Sequence, residues 1–262
     1  FQRGSRIMDN RFIGIMDSGV GGLTVAKYIK ENYPLEGIIF IGDTLHNPYG
    51  SLSPENIALY AERLKQFLLQ QNIKMLIIGC NTISFNTPSS FYEEDIPVIP
   101  MSLKIPCLEE MEEVTVLATP ATINTHKHKY IIEKQYPNII IHEIGLPTLA
   151  HAIEMGASER EVDAIIKKEV SKHQAQNTEM AFLACTHYPL VLSSLKKYLP
   201  KAKFWDPAQA TVEYGMQALL KKEAHASSTG QKKFYFTSDV SIAEPLVKNL
   251  FGTDANIEEI NL

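Results

Sequence analysis

Two cysteines stand at the ends of two apolar runs, and each is followed at once by polar groups. In Lys74–Thr82, KMLIIGCNT, the run Met75–Ile78 stops at a glycine and then presents Cys80, Asn81 and Thr82. Met180–His187, MAFLACTH, repeats the arrangement with Ala184, Cys185, Thr186 and His187. Runs of that length read as buried strands, and in open α/β sheets ligands bind in the crevice outside the carboxyl ends of strands. Two thiols facing each other across such a crevice suit proton transfer on both faces of one carbon. One thiolate removes the α-proton of an amino acid and the opposite thiol delivers one, giving the mirror image. Swapping the roles runs the reaction backwards, so a near-symmetric site is expected, and a repeated strand–cysteine pattern supplies it.

A free thiol has a pKa of about 8.5 and is only a few per cent thiolate at pH 7. Something must favour the anion, and His187 beside Cys185 and Asp17 are the nearby candidates. Proton transfer by positioned groups is worth roughly 10²–10⁴-fold. The rest must come from positioning and from donors that hold the α-carboxylate as the carbanion develops. Ser18, Asn81, Thr82, Thr122 and Thr186 have the right chemistry for that. No P-loop, HExxH or paired C-x-x-C is written in the chain, so neither a metal nor a cofactor is expected.

The elements that must position these groups follow from the pattern. Ile13–Met16 is a short apolar strand ending in Asp17-Ser18-Gly19-Val20-Gly21-Gly22, with a helix behind it. Glycines between strand and helix permit a tight turn and expose backbone N–H groups that suit a carboxylate. Ile38–Ile41 ends in Gly42-Asp43-Thr44, and Asn47-Pro48-Tyr49-Gly50 is a turn signal. Ser53-Pro54-Glu55 opens a helix, and Pro97–Met101 is a fourth strand. From Val114 the pattern begins again: strands Val114–Ala118 and Ile139–His142, helices Pro147–Met155 and Ser158–Lys172, the Cys185 strand, and Lys203–Trp205 ending in Asp206. Cys80 to Met101 and Cys185 to Asp206 are both 21 residues.

These repeats give an α/β protein of two pseudo-symmetric open-sheet domains facing each other across a central cleft. Residues 12–102 with 208–262 form one domain, and 103–207 form the other. The tail supplies a helix (Ala210–Lys221), a strand (Lys233–Phe236) and a helix (Ala243–Leu250) that pack back on the first half, and Ala224–Gly230 reads as a flexible linker.

Composition narrows the function classes. The chain has 262 residues, 45% of them hydrophobic, and a net charge of −5, which argues against a non-specific nucleic-acid binder. No apolar run approaches the roughly 20 residues of a membrane helix. No signal peptide is evident, and the opening FQRGSR reads as a vector-derived leader, with Met8 the expected native start. Three cysteines without C-x-x-C spacing fit neither a disulfide framework nor a zinc site, so a cytoplasmic protein with reduced thiols is expected. Cys107 reads as a small buried hydrophobe. Asp43 and Asp206 read as caps of following helices, and His126 and His128, in THKHK, as a solvated helix face.

The segments IGIMDSGVGGLTV (13–25), GDTLHNPYG (42–50), IIGCNT (77–82), ATPAT (118–122) and ACTHYPL (184–190) together resemble glutamate racemases of the aspartate/glutamate racemase superfamily, over residues 12–260. The resemblance implies cofactor-independent interconversion of L- and D-glutamate, supplying D-glutamate for bacterial peptidoglycan, between two pseudo-symmetric α/β domains. It implies Cys80 and Cys185 as the acid/bases, Asp17 assisting at Cys80, and His187 with Glu154 assisting at Cys185. Ser18, Pro48, Tyr49, Gly50, Asn81, Thr82, Thr119, Thr122 and Thr186 are the implied substrate-binding residues. The chain departs from the family pattern at Leu52, Gly79, Leu146, Ala184 and Pro207, none of which removes a catalytic group. The other readings are aspartate as substrate, a racemase-fold binding or regulatory protein, and a Cys-nucleophile hydrolase. Retention of both cysteines counts against the binding protein, and a hydrolase gives the second cysteine no role. The partner is a small-molecule amino acid, and a homodimer fits base rates for an enzyme of this size.

Overall fold

The computed structural model describes residues 9–222 and 224–262, so the opening FQRGSR and Met8 lie outside the described residues. The strands are β1 (Ile13–Asp17), β2 (Ile38–Gly42), β3 (Met75–Ile78), β4 (Val98–Ile99), β5 (Glu113–Ala118), β6 (Ile140–Gly145), β7 (Met180–Ala184), β8 (Lys203–Trp205), β9 (Lys232–Phe236) and β10 (Asn256–Glu259). They form two sheets, ordered β10-β9-β2-β1-β3-β4 and β6-β5-β7-β8. Every pairing is parallel. Parallel strands are covered on both faces and read as continuous apolar runs, which is why β1, β3 and β7 are buried at every residue.

The helices are α1 (Leu23–Asn32), α2 (Pro54–Gln70), α3 (Asn81–Asn86), α4 (Pro120–Ile123), α5 (Lys127–Gln135), α6 (Leu149–Glu154), α7 (Glu159–Lys172), α8 (Leu192–Tyr198), α9 (Pro207–Lys221) and α10 (Glu244–Phe251). Against the first sheet, Val25, Ile29, Val212 and Met216 pack on one face and Ile57, Leu64 and Leu68 on the other. Ile132 covers one face of the second sheet; Leu149, Ile166 and Leu195 cover the opposite one. Ser53 caps α2, Ser158 and Glu161 form a full capping box on α7, and Asp206 caps α9 through Ala208 N at 2.9 Å.

Several expectations need correction. The strand expected over Pro97–Met101 shrinks to Val98–Ile99, because prolines at 97 and 100 cannot donate to a ladder. The helix expected from Pro147 begins at Leu149. Ala224–Gly230 is tied down rather than loose: Ala226 N donates to Glu36 Oε1 at 3.1 Å, and Gly230 N to Leu35 O at 3.0 Å. Lys74 and Glu36 form a buried ion pair at 2.6 Å beneath it, and Lys74 Nζ also donates to Ala224 O. Cys107 is exposed, because it lies on the segment that connects the two sheets rather than in a core. β10 was not foreseen, since Asn-Ile-Glu-Glu is a charged edge strand with no apolar run.

His128 is also not on a solvated face. It is buried on the same side of α5 as Ile132 and meets Phe85 of α3 edge-on, with ring centroids 5.1 Å apart. Burial pushes its pKa down to about 4. The unfolded chain binds this proton near pH 6.5 and the folded chain does not, so stability is lost as pH falls from about 6.5 to 4, by on the order of 3 kcal/mol. His128→Phe is expected to reduce the drop in melting temperature between pH 7 and 4.5 relative to wild type. An identical drop in both proteins contradicts the assignment.

Candidate active site

In the first sheet the strand order reverses direction at β1, between β2 and β3; in the second it reverses at β5, between β6 and β7. Ligands in open α/β sheets bind at such switch points. Cys80 follows β3 and Cys185 follows β7, so each thiol occupies the same place in its own 2-1-3-4 array. Both line one cavity between the sheets.

Cys80 is 5% exposed, and its Sγ lies 3.4 Å from Ser18 Oγ. Burial raises this thiol far above its ordinary value, and the neighbouring Asp17 carboxylate raises it further. Asp17 is fully buried and is itself pushed up by burial, partly offset by His187 and by the backbone N–H groups of Gly22 and Gly19. An ionised Asp17 therefore opposes a Cys80 thiolate, against the expectation that Asp17 is a group that favours the anion. Burial thus raises both acids on this wall, and each resists ionising while the other carries charge.

Around Cys185 the charges have the opposite sign. His187 Nδ1 lies 3.7 Å from Cys185 Sγ, and Nε2 lies 2.7 Å from Glu154 Oε1. Burial alone lowers His187, but the Glu154 carboxylate and the Cys185 thiol outweigh it and hold the imidazole well above its usual value. As an imidazolium it donates to both neighbours. The Tyr188 hydroxyl is buried with no hydrogen-bond partner among the described residues, and burial, then Cys185, raises it. Its place within the CTHYPL segment was the only signal for it in the sequence.

Asn81 is 1% exposed, and neither amide atom has a partner among the described residues. Leaving such atoms unpaired costs about 1–3 kcal/mol, so a polar ligand gains by meeting them. Thr186 sits beside Cys185 on the same wall, and Thr82 and Thr119 share a hydrogen bond of 2.9 Å across the seam. Pro48, Tyr49 and Gly50 form the rim contributed by the loop after β2. Tyr49 turns its hydroxyl away to Asp43 at 2.5 Å. Asp43 is therefore not a helix cap; it accepts from Tyr49, from Thr237 Oγ1 at 2.5 Å and pairs with His46 at 2.9 Å, pinning the loop. Thr122 is the expected binding residue that does not reach the cavity wall: its hydroxyl stays with Thr119 at 3.2 Å and Thr82 at 3.4 Å. Asn47, Pro147 and Ala150 line the wall without having been singled out.

The carboxylate seat foreseen in the glycine turn after β1 exists, and the protein fills it itself. Val20 N donates to Glu154 Oε1 at 2.9 Å, and Asn47 Nδ2 donates to Glu154 Oε2 at 2.5 Å. The sheets are closed on each other: the cavity is about 20 Å³, room for one water rather than an amino acid. Among the described residues, no group of three or more His, Cys, Asp or Glu could hold a metal ion, and no helix is long and apolar enough to cross a membrane.

Fold and site together define a class: a two-sheet α/β protein carrying a buried thiol at the switch point of each sheet. No family model matches the sequence. A glutamate racemase of Lactobacillus helveticus is 34% identical over 243 residues, 88% of this chain and 90% of its own. The crystal structure of glutamate racemase from Francisella tularensis in complex with D-glutamate superposes with a TM-score of 0.86 at 31% identity, covering 97% of this chain and 98% of that one. A glutamate racemase isoform of Bacillus anthracis gives the same TM-score and coverage at 28% identity. The chain belongs to the glutamate racemase family.

Proposed function

We propose that the protein interconverts L- and D-glutamate without a cofactor, with Cys80 and Cys185 as the two acid/bases. The observation that carries the proposal is that thiols from equivalent positions of two sheets line one cavity. Residues 12–102 with 208–262, and 103–207, act as two lobes that part to admit the amino acid. With substrate enclosed, one thiolate removes the α-proton while the opposite thiol protonates the other face, and the pair of electrons left on the α-carbon is held by the adjoining carboxylate. Ser18, Asn81, Thr82, Thr119 and Thr186 hold the substrate's charged groups, with Pro48, Tyr49 and Gly50 at the rim and Thr122 buttressing the two other threonines. Asp17 serves as proton acceptor for Cys80, and Glu154 with His187 stabilises the Cys185 thiolate. Supply of D-glutamate to peptidoglycan belongs to the same reading.

Circular dichroism of pure L- and pure D-glutamate with the enzyme tests it. Both signals are expected to decay to zero with equal kcat/KM, because enantiomers have equal free energy in water. Decay with aspartate and none with glutamate moves the substrate and leaves the chemistry. No decay with either overturns the proposal and favours a binding role.

A further inference from the structure

Glu154 ends α6 of the second sheet, yet two of its three donors come from the first. Val20 N and Asn47 Nδ2 reach it from the loops after β1 and β2, while His187 Nε2 approaches from the loop after β7. The side chain is 6% exposed, so each hydrogen bond works in a low dielectric. Gly19 makes the approach feasible: a Cβ there would stand 1.9 Å from Glu154 Oε1 and 2.3 Å from Asn47 Nδ2. One carboxylate is thus gripped on Oε1 by Val20 and His187 and on Oε2 by Asn47, across the seam that must open for substrate.

We propose that Asn47 is a positioning residue that latches Glu154 across the seam, so that His187 is aligned on Cys185 only when the two sheets are closed. The proposal rests on the two-thiol reading above. Parting the sheets removes the Val20 and Asn47 donors together and leaves Glu154 held by His187 alone, free to turn. Closing them fixes both carboxylate oxygens, hence the imidazole plane, hence the 3.7 Å approach of Nδ1 to the thiol. Asn47 touches neither thiol and acts through Glu154; its amide must present N–H to the carboxylate, which an aspartate of the same shape cannot do.

Asn47→Ala and Asn47→Asp separate a latch from a space-filling role. In a latch, Asp is worse than Ala, because it sets a carboxylate against Glu154; in a space-filling role Asp, being isosteric, is nearly silent and Ala is worse. The expected order of kcat for glutamate is wild type, then Ala lower by about tenfold, then Asp lower again, with melting temperatures confirming that each variant is folded. Amide hydrogen exchange at Val20 reads the same latch without any activity, and is expected to speed up about tenfold or more in the same order. Unchanged Val20 exchange in both variants, or Asp outperforming Ala, overturns the proposal. If wild-type protein racemises nothing, the two-thiol reading fails, and Val20 exchange still decides whether Asn47 latches the seam.

Discussion

Cys80→Ser and Cys185→Ser are each expected to lower the racemisation rate by about 10³-fold, the scale of a lost general acid or base. A serine hydroxyl is far less acidic than a thiol, so it can donate a proton poorly and is almost never the anion that removes one. Both directions suffer equally in kcat/KM, because the equilibrium between enantiomers fixes their ratio. The double variant is expected to be no more than a few-fold worse than either single one, since the two groups act as a unit and their losses do not add. A single-variant loss below tenfold, or a double-variant loss near the product of the singles, contradicts the two-base assignment. Each thiol is buried in its core, and sulfur-to-oxygen replacement changes little volume, so melting temperatures should fall by a few degrees at most.

Gly21→Ala is expected to reduce kcat by on the order of 10²-fold while the protein remains folded, because a displacement of about 1 Å in a catalytic group costs that much. A Cβ at Gly21 would lie 2.5 Å from His187 Nδ1 and 2.6 Å from Thr186 Oγ1, both on the opposite lobe. His187 cannot swing clear, since Glu154 holds its other nitrogen at 2.7 Å. The ring must move off Cys185 or the sheets must part. Gly145→Ala is the matched control: its Cβ would meet nothing closer than 3.6 Å, and activity should stay near wild type. Steady-state kinetics on the two variants check the pair, and a fully active Gly21→Ala enzyme would mean that the seam closes differently during turnover.

The residues around the thiols were legible because parallel strands buried on both faces must be short apolar runs, and a run that stops at Gly79-Cys80 or Ala184-Cys185 announces a strand end. The second copy of that pattern raised it above chance. Four features were hidden for separate physical reasons. Helix α3 begins directly after Cys80 with polar Asn81 and Thr82 in its first turn, so the helical period was masked by the residues that line the cavity. His128 sits among lysines in sequence, and only its spacing of four from Ile132 marks the inward face of α5. How far burial raises Asp17 and Cys80 depends on packing, which sequence does not carry. Asn47 and Glu154 meet across 107 residues of chain, and Asn47 looks like an ordinary turn residue until the two loops are brought together.

Exchange of the α-proton with solvent deuterium reads directly whether two bases act on opposite faces of one carbon. Wild type in deuterated buffer is expected to place deuterium at the α-position of both L- and D-glutamate. Each serine variant should still exchange the α-proton of one enantiomer, by its surviving thiol, and lose exchange on the other, with Cys80→Ser and Cys185→Ser retaining opposite enantiomers. Loss of exchange on the same enantiomer in both variants, or exchange on both enantiomers after removal of either thiol, would contradict it.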